Sequence, residues 1–512
     1  MTTPIYYASG LPHLGHAYTT ILADCFAKFH RLHGTDVKFT TGMDEHGQKI
    51  ERAAAKSGKT PQSLVDELAD IFQKTWVELG LTPDDFIRTT EERHKSVAAT
   101  IWKKMQANGD IYLGHYEGLY CVDCEEYYQE AELKDGNCPI HGRPVETLRE
   151  ETYFFKLSRY QQKLIDHINA NPAFIVPETR RNEVLGFLTH NTLKDLSISR
   201  TSFSWGIPVP GDPAHVMYVW IDALVNYLSS LGGPDTPDFA QFWPQAVHLI
   251  GKDILRFHAV YWPAMLMSCD LPLPKTLVVH GWWTLQNKKI SKSEPATKID
   301  PLLLAKGLSS DGLRFFLLKS LFLGKDGDLS YEQVIHTVNV GLANTIGNLA
   351  NRFTHMAEKY FEGTLIAPTG ELTDPLDLEV KETAEKTALA IETEMAAFNP
   401  SGALEALMSF GNTLNLYLEK TMPWELAKDD TNKPRMMAIF VTLAEALDWV
   451  WRLGSPFFPT LSHTIAERLS TPFTPAWPTK FGWQNWKTIT GPALFLRISK
   501  DEEAALIKTW QS

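Results

Sequence analysis

Two short motifs in this chain of 512 residues carry side chains suited to phosphate chemistry. His13-Leu14-Gly15-His16 sets two imidazoles around a glycine, and Lys289-Ile290-Ser291-Lys292-Ser293 supplies a pair of ammonium groups. A helix N-terminus offers free N–H groups and a positive dipole end, which together suit a phosphate. Gly15 there removes the side chain that would hold an adenine ring away from the backbone. His13 and His16 can hydrogen-bond phosphate oxygens as charge develops, and Lys289 or Lys292 can hold a departing pyrophosphate. Taken singly, each motif also has a plain reading. The first is a surface helix start with two chance histidines, and the second is a solvated basic loop.

The third pattern is more specific. Cys121-x2-Cys124 is followed by Cys138-x2-His141. Three thiolates and one imidazole make a closed tetrahedral set for structural zinc, with no position left open for catalysis. Gly136, Pro139 and Gly142 supply the tight turns that such a knuckle needs. The competing reading is a group of buried cysteines.

Two further segments concentrate aromatic rings around a few polar groups: Tyr218 to Tyr227 and Gly251 to Trp262. That mixture suits a small apolar ligand carrying an ammonium group, although composition alone favours core packing for every one of these rings. Asp44 lies just past a predicted strand and either faces a ligand cation or caps the next helix. Asn348 and Arg352 are spaced to share a helix face, and Pro423-Trp424 opens another helix. An Asn/Arg pair with an aromatic side chain can read and stack unpaired RNA bases, or be ordinary helix surface and core.

The elements that must position these residues follow from the hydrophobic pattern. Residues 2–7 read as a short strand, 8–12 as a turn, and Ile21, Leu22, Cys25, Phe26, Phe29 and Leu32 as the buried face of a helix closed by Gly34. A strand resumes over 37–40, which puts the histidine motif where a loop enters a helix after a first strand. In doubly wound folds ligands bind at such strand ends. Helical patterns fill 45–108, and 111–215 becomes rich in Cys, Tyr, Gly and Pro with short strands. Buried parallel strands are predicted over 246–250 and 277–280, with a helix around 254–268 between them. Helices are predicted over 332–361, 375–397, 401–419, 432–452 and 457–468.

Composition bounds the class. Hydrophobic content of 44% and charged content of 21% are ordinary for a globular enzyme. A net charge of -12 argues against a general polyanion binder but not against a local basic face. Five cysteines do not make a disulfide scaffold, so a reducing cytoplasm is expected. No secretory signal and no apolar run of about 20 residues is present, so no membrane partner is expected.

Together these residues resemble the methionyl-tRNA synthetases, class I aminoacyl-tRNA synthetases, of the bacterial type with a single zinc knuckle. Both signatures match, with Ile290 where methionine is common, and so do Thr41 to Gly47, Trp220 to Tyr227 and Gly251 to Trp262. The resemblance implies an α/β fold: a Rossmann-like catalytic domain with a doubly wound parallel sheet and a zinc-bearing insertion, then an all-α helical bundle. The expected division is 1–110 and 216–280 for the two catalytic halves, 111–215 for the insertion, 281–340 for a connecting domain with the lysine loop, and 341–512 for an anticodon-binding bundle.

By position, the resemblance implies a methionine pocket of Ile5, Tyr7, Trp220, Ala223, Leu224, Tyr227, Ile254, His258 and Trp262, with Asp44 on the substrate ammonium. Gly15, Gly251 and Asp253 would hold adenosine, while His13, His16, Lys289 and Lys292 would act on the phosphates. One structural Zn²⁺ would sit on Cys121, Cys124, Cys138 and His141, and Mg²⁺ would come with ATP. Asn348, Arg352 and Trp424 would meet the CAU anticodon of tRNA(Met). Closure by Trp220 and Trp262, with a polar contact from Tyr7 or His258 to the thioether sulfur, is the expected source of selectivity.

Met1 falls where the family's first strand is already under way, so either a shortened strand or a true start upstream is expected. Some family members carry a dimerising extension after the helical domain, so a chain stopping at Ser512 is expected to be a monomer. The alternatives are a leucine- or cysteine-type synthetase, a zinc-bearing RNA-binding protein without catalysis, and a small-molecule adenylating ligase.

Overall fold

The computed structural model describes residues 1–122, 126–128, 130–140, 142–285, 288–289, 299–320, 323–370 and 372–511. Lys292, Cys124 and His141 therefore lie outside the described residues. The chain divides into two compact units: Met1–Pro12, Lys38–Val77 and Thr82–Gly281 form the first, and His13–Val37, Glu78–Leu81 and Trp282–Ser512 the second. Among the described residues, no helix is long and apolar enough to cross a membrane.

The first unit is organised by a parallel sheet. Its named elements are β1 (Tyr6–Tyr7), β2 (Thr40–Asp44), β3 (Asp85–Arg88), α1 (Glu92–Ala107), β4 (Ile175–Val176), α2 (Val219–Leu224), β5 (Val247–Gly251) and β6 (Thr276–His280). Two three-stranded blocks run β1-β2-β3 and β5-β6-β4, with every pairing parallel. Thr2 joins them by bridging Thr40 on one side and His248 on the other. β1 is two residues long, and Thr2 ahead of it knits the two blocks together. β2 and β6 are buried along their whole length, as strands covered on both faces must be. The order places a topological switch between β1 and β5, whose carboxyl ends carry Tyr7 and Gly251.

Several expectations shift. The strand predicted over 37–40 begins only at Thr40, and β3 is an unforeseen strand inside the region read as helical. With just four residues between two helices, β3 shows no measurable alternation. Segment 111–215 holds short strands as expected, such as Ile175–Val176 and Ser199–Arg200, but also two long ones: Ile111–Cys121 pairs with Glu146–Phe155 in an antiparallel ladder. It also holds helices Gln161–Ala170 and Glu178–His190, and β4 returns to the central sheet within it.

The second unit begins with the helix Leu14–Leu32, whose predicted apolar face is buried at every named position. Gly34 follows its C-cap with φ 75°, the left-handed geometry that favours glycine. Trp283–Leu285 pairs with Lys288–Lys289 and Gly327–Leu329 in a small sheet. Lys289 thus lies on an edge strand instead of in a loop. Helices Pro375–Ala396, Pro400–Thr421, Lys433–Gly454 and Pro459–Arg468 follow close to their predicted ranges. Asp374 and Asn399 cap the first two, each followed by proline at the first helical position. Helices Pro301–Leu308, Ser310–Ser320 and Lys500–Gln511 were not predicted.

Candidate active site

In the first unit, β1 and β2 deliver Tyr7 and Asp44 as register partners at their carboxyl ends. The Ala8 amide donates to the Asp44 carbonyl at 2.8 Å, which fixes the two chains where they leave the sheet. Asp44 is buried and Tyr7 is half-buried, with the Lys49 ammonium 5.8 Å from the Tyr7 ring centroid.

A wall of rings is built by α2, the turn after it, and the irregular helix that follows β5. Trp220 stacks on Phe257 at 3.7 Å and 4°. Tyr227 meets Trp262 at 5.9 Å and stacks on His248 at 3.9 Å. Tyr7, Trp220 and Ile254 pack half-buried against the cluster that contains Leu224, Tyr227 and Trp262. Ala223 is buried on α2, and Ile5 is half-buried. The fold therefore brings most of the expected pocket residues into one neighbourhood.

The protonation of His258 follows from its partners. Burial pushes its pKa down to about 4, so the ring is neutral at pH 7. Its Nδ1 faces the Ile254 carbonyl at 2.9 Å, and a carbonyl only accepts, so Nδ1 carries the proton. Nε2 must then accept from the Tyr227 hydroxyl at 2.7 Å. Burial also raises the Tyr227 pKa, so that hydroxyl keeps its proton. Both ring nitrogens of His258 are thus taken by protein groups, and the expected contact from His258 to a sulfur is not available in this arrangement. The Trp262 indole N–H, in contrast, is buried without a hydrogen-bond partner.

Behind this wall lies a network that the sequence did not single out. Asp222 on α2 is fully buried and receives His46 Nδ1 and His94 Nε2, each at 2.6 Å. Burial alone would raise its pKa, but the charge of His46 and the bonds from His46 and His94 outweigh this and hold it down to about 2. The available signal was an acidic residue inside an otherwise apolar helix, where an unpaired charge is not tolerated.

At the end of β5, Gly251 and Asp253 are adjacent. A Cβ on Gly251 would sit 2.6 Å from Asp253 Oδ1, so only glycine lets that carboxylate fold back.

In the second unit, His13 caps the helix Leu14–Leu32. Its Nδ1 accepts from the Gly15 amide at 3.0 Å, while His16 Nδ1 accepts from the His13 amide at 3.2 Å. The motif is thus a reciprocal capping box made of two imidazoles, whose rings stack at 3.7 Å. A Cβ on Gly15 would lie 2.9 Å from His13 Cε1. The glycine is required by the histidine of its own motif, apart from any ligand. Asn348 is exposed and Arg352 half-buried on one helix, and Trp424 is 36% exposed at the start of another.

Of the metal candidates, Cys121 ends a long strand and Cys138 follows a hairpin turn. Both are buried in one small cluster with Tyr128. The Gly142 amide donates to the Cys138 carbonyl at 2.8 Å. Two thiols gathered in a cluster of their own fit a structural metal. No group of three or more ligating side chains occurs among the described residues.

Comparison with known proteins gives a consistent picture. The family described as tRNA synthetases class I (M) matches residues 1–146 and 129–354. A methionine–tRNA ligase of Caldanaerobacter subterraneus subsp. tengcongensis is 43% identical over 99% of this chain and 80% of its own length. One from Fusobacterium nucleatum is 44% identical over 92% of this chain and 74% of its own. Among solved structures, a Mycobacterium tuberculosis methionyl-tRNA synthetase bound by methionyl-adenylate is similar with a TM-score of 0.92 and 39% identity, over 97% of this chain and 99% of that one.

Proposed function

Since the chain belongs to the class I tRNA synthetases of the methionine type, we propose that it joins methionine to tRNA at the expense of ATP. The methionine carboxylate attacks the α-phosphate, the bond to the bridging oxygen breaks, and pyrophosphate leaves methionyl-adenylate behind. A ribose hydroxyl of the terminal adenosine of tRNA then attacks the activated carbonyl and releases AMP. No covalent protein intermediate is required, so positioning and charge neutralisation carry the chemistry. The observation that carries this reading is a match running nearly end to end, combined with a buried carboxylate and an aromatic wall in one unit.

Asp44 pairs with the methionine ammonium at the carboxyl end of β2. Ile5, Tyr7, Trp220, Ala223, Leu224, Tyr227, Ile254, His258 and Trp262 surround the thioether side chain. Because His258 and Tyr227 bind each other, their pair presents a neutral, oriented face in place of a charge, which suits a weakly polar sulfur. Gly251, Asp253 and Gly15 seat adenosine. His13, His16, Lys289 and Lys292 neutralise the triphosphate, and Mg²⁺ accompanies ATP. Asn348, Arg352 and Trp424 read the CAU anticodon of tRNA(Met) from the helical region.

Zinc on Cys121, Cys124, Cys138 and His141 supplies a structural cross-link to the hairpin and takes no part in the reaction. The buried pair Cys121 and Cys138 supports that assignment.

The test is ATP–pyrophosphate exchange with each amino acid in turn, followed by charging of tRNA. Exchange with methionine and charging of a CAU tRNA are expected. Exchange with leucine or cysteine instead identifies another class I synthetase, and absence of exchange with every amino acid rejects the catalytic reading.

A further inference from the structure

We propose that Asp222 is a positioning residue that sets the reach of the methionine pocket, holding the Asp44 loop and the helix α2 at a fixed separation through two histidines. The proposal rests on the assignment of Asp44, Trp220, Ala223 and Leu224 to that pocket. Its basis is the path of the chain around one buried carboxylate. Oδ2 takes His46, two residues beyond Asp44; Oδ1 takes His94, on α1. The same α2 turns carry Trp220 before Asp222 and Ala223 and Leu224 after it. The element proposed to bind the ammonium and the element proposed to bind the side chain are thus joined by a single group.

The surroundings make that group hard to replace. The loop from Asp44 to Gly47 is held by backbone bonds on its other sides: the Glu45 amide donates to Thr89 Oγ1 at 2.9 Å, the Trp205 indole donates to the Glu45 carbonyl at 2.5 Å, and the Gly47 amide donates to the Trp205 carbonyl at 2.9 Å. The His46 ring packs edge-on to Trp205 at 5.5 Å, and its Nδ1 reaches across to α2. On the far side, His94 Nδ1 lies 2.8 Å from Ser229 Oγ, in the helix that follows α2. A carboxylate has only acceptors, so both facing ring nitrogens must donate. Asparagine at this position has one acceptor and one donor, so it satisfies one histidine and opposes the other. An unsatisfied donor in a fully buried site is costly, and the loop or the helix has to move. Shifts of about 1 Å at a reacting geometry cost on the order of 10²-fold in rate.

The experiment measures exchange kinetics and thermal melting of the full chain for Asp222→Asn, His46→Asn and His94→Gln. Asn and Gln offer an amide nitrogen near the ring nitrogen they replace but lose the ring held against Trp205 and Ser229, so each variant loosens its arm of the bridge without deleting the donor. For Asp222→Asn, the methionine KM is expected to rise by about 10-fold or more while the ATP KM stays within about two-fold. His46→Asn, on the Asp44 loop, is expected to raise the methionine KM more than His94→Gln. A melting temperature that falls while the methionine KM stays within two-fold for every folded variant overturns the proposal. Should Asp222→Asn fail to fold, the order of the histidine variants decides it, and equal methionine KM values in those two count against it. Wild-type chain without methionine-dependent exchange rejects the assigned activity instead, which keeps the two failures distinct.

Discussion

Asp222 in the first unit and Asp377 in the second are built alike. Each is fully buried, and each accepts from two groups on other elements: His46 and His94 for Asp222, Tyr417 and Arg435 for Asp377. The distances are nearly the same, 2.6 Å to both histidines and 2.6 Å to both the Tyr417 hydroxyl and Arg435 Nη1. What differs is the position of the partners. Those of Asp377 sit on long, regular helices, where Arg435 adds a second bond at 2.9 Å and reaches Asp374 at 3.2 Å. Those of Asp222 include a residue two positions from a proposed ligand group, on an irregular turn at a strand end. The same electrostatics therefore serves helix packing in one unit and ligand geometry in the other, and burial alone does not tell the two apart.

The largest effect is expected at Asp377. Removing the Asp377 charge leaves Arg435 with the more exposed Asp374 alone, and because Arg435 also keeps part of its solvent contact the lower end of the usual range applies. Asp377→Asn should cost about 3 kcal/mol of unfolding free energy by urea titration. Exchange kinetics of the folded variant should match wild type. A shifted methionine KM in Asp377→Asn would erase the contrast between the two sites.

Next in size is Gly15→Ala, which sharpens the contrast from the other side. The new Cβ meets the His13 ring, a flexible side-chain end that can swing away, so the cap bond is lost. Alanine returns about 1 kcal/mol of helix propensity, so stability should change little. The exchange rate should fall on the order of 10²-fold, because the imidazole no longer occupies its place. Loss of stability with an unchanged rate would make the motif a helix cap and nothing more.

How much of this was legible in the sequence depended on regularity. The helices predicted over 375–397, 401–419, 432–452 and 457–468 were readable because apolar residues recur with the helical period, as in Leu404, Leu407, Leu414 and Leu418. β5 and β6 were readable because Val247 to Ile250, broken only by His248, and Leu277 to Val279 are short, mainly apolar runs. β3 was lost because Asp85 to Arg88 is too short to show a period. The Asp222 network was lost because 48 residues separate His46 from His94 and 128 separate His94 from Asp222, spacings that only the folded chain brings together. The ring segments of the pocket were visible as composition, but the bonds to Tyr227 and Ile254 that occupy both ring nitrogens of His258 were not.

A smaller effect, with a pH signature, is expected at Glu445 in the helical region. Burial raises its pKa to about 7, against the bonds it accepts from the Gln484 amide and the Gly482 N–H. The folded chain therefore favours the neutral acid. The stability this provides is complete below the ordinary glutamate range and is lost as pH rises through 7. Glu445→Gln should stabilise the chain by about 1–3 kcal/mol at pH 8 and make no difference near pH 4. A benefit independent of pH would show that the carboxyl is not the cause.

The smallest effect is the acid side of methionine binding. His258 is neutral down to about pH 4, so its protonation should leave the methionine KM flat between pH 6 and 8. A step near pH 6.5 that disappears in His258→Gln would mean that the ring is solvated and that its bond to Tyr227 is not formed.

The most direct test sets the two carboxylates side by side: the methionine KM of Asp222→Asn and of Asp377→Asn, measured by ATP–pyrophosphate exchange under one set of conditions. The expected result is a KM raised about 10-fold or more for Asp222→Asn and unchanged for Asp377→Asn. Equal KM values in the two variants would contradict the account.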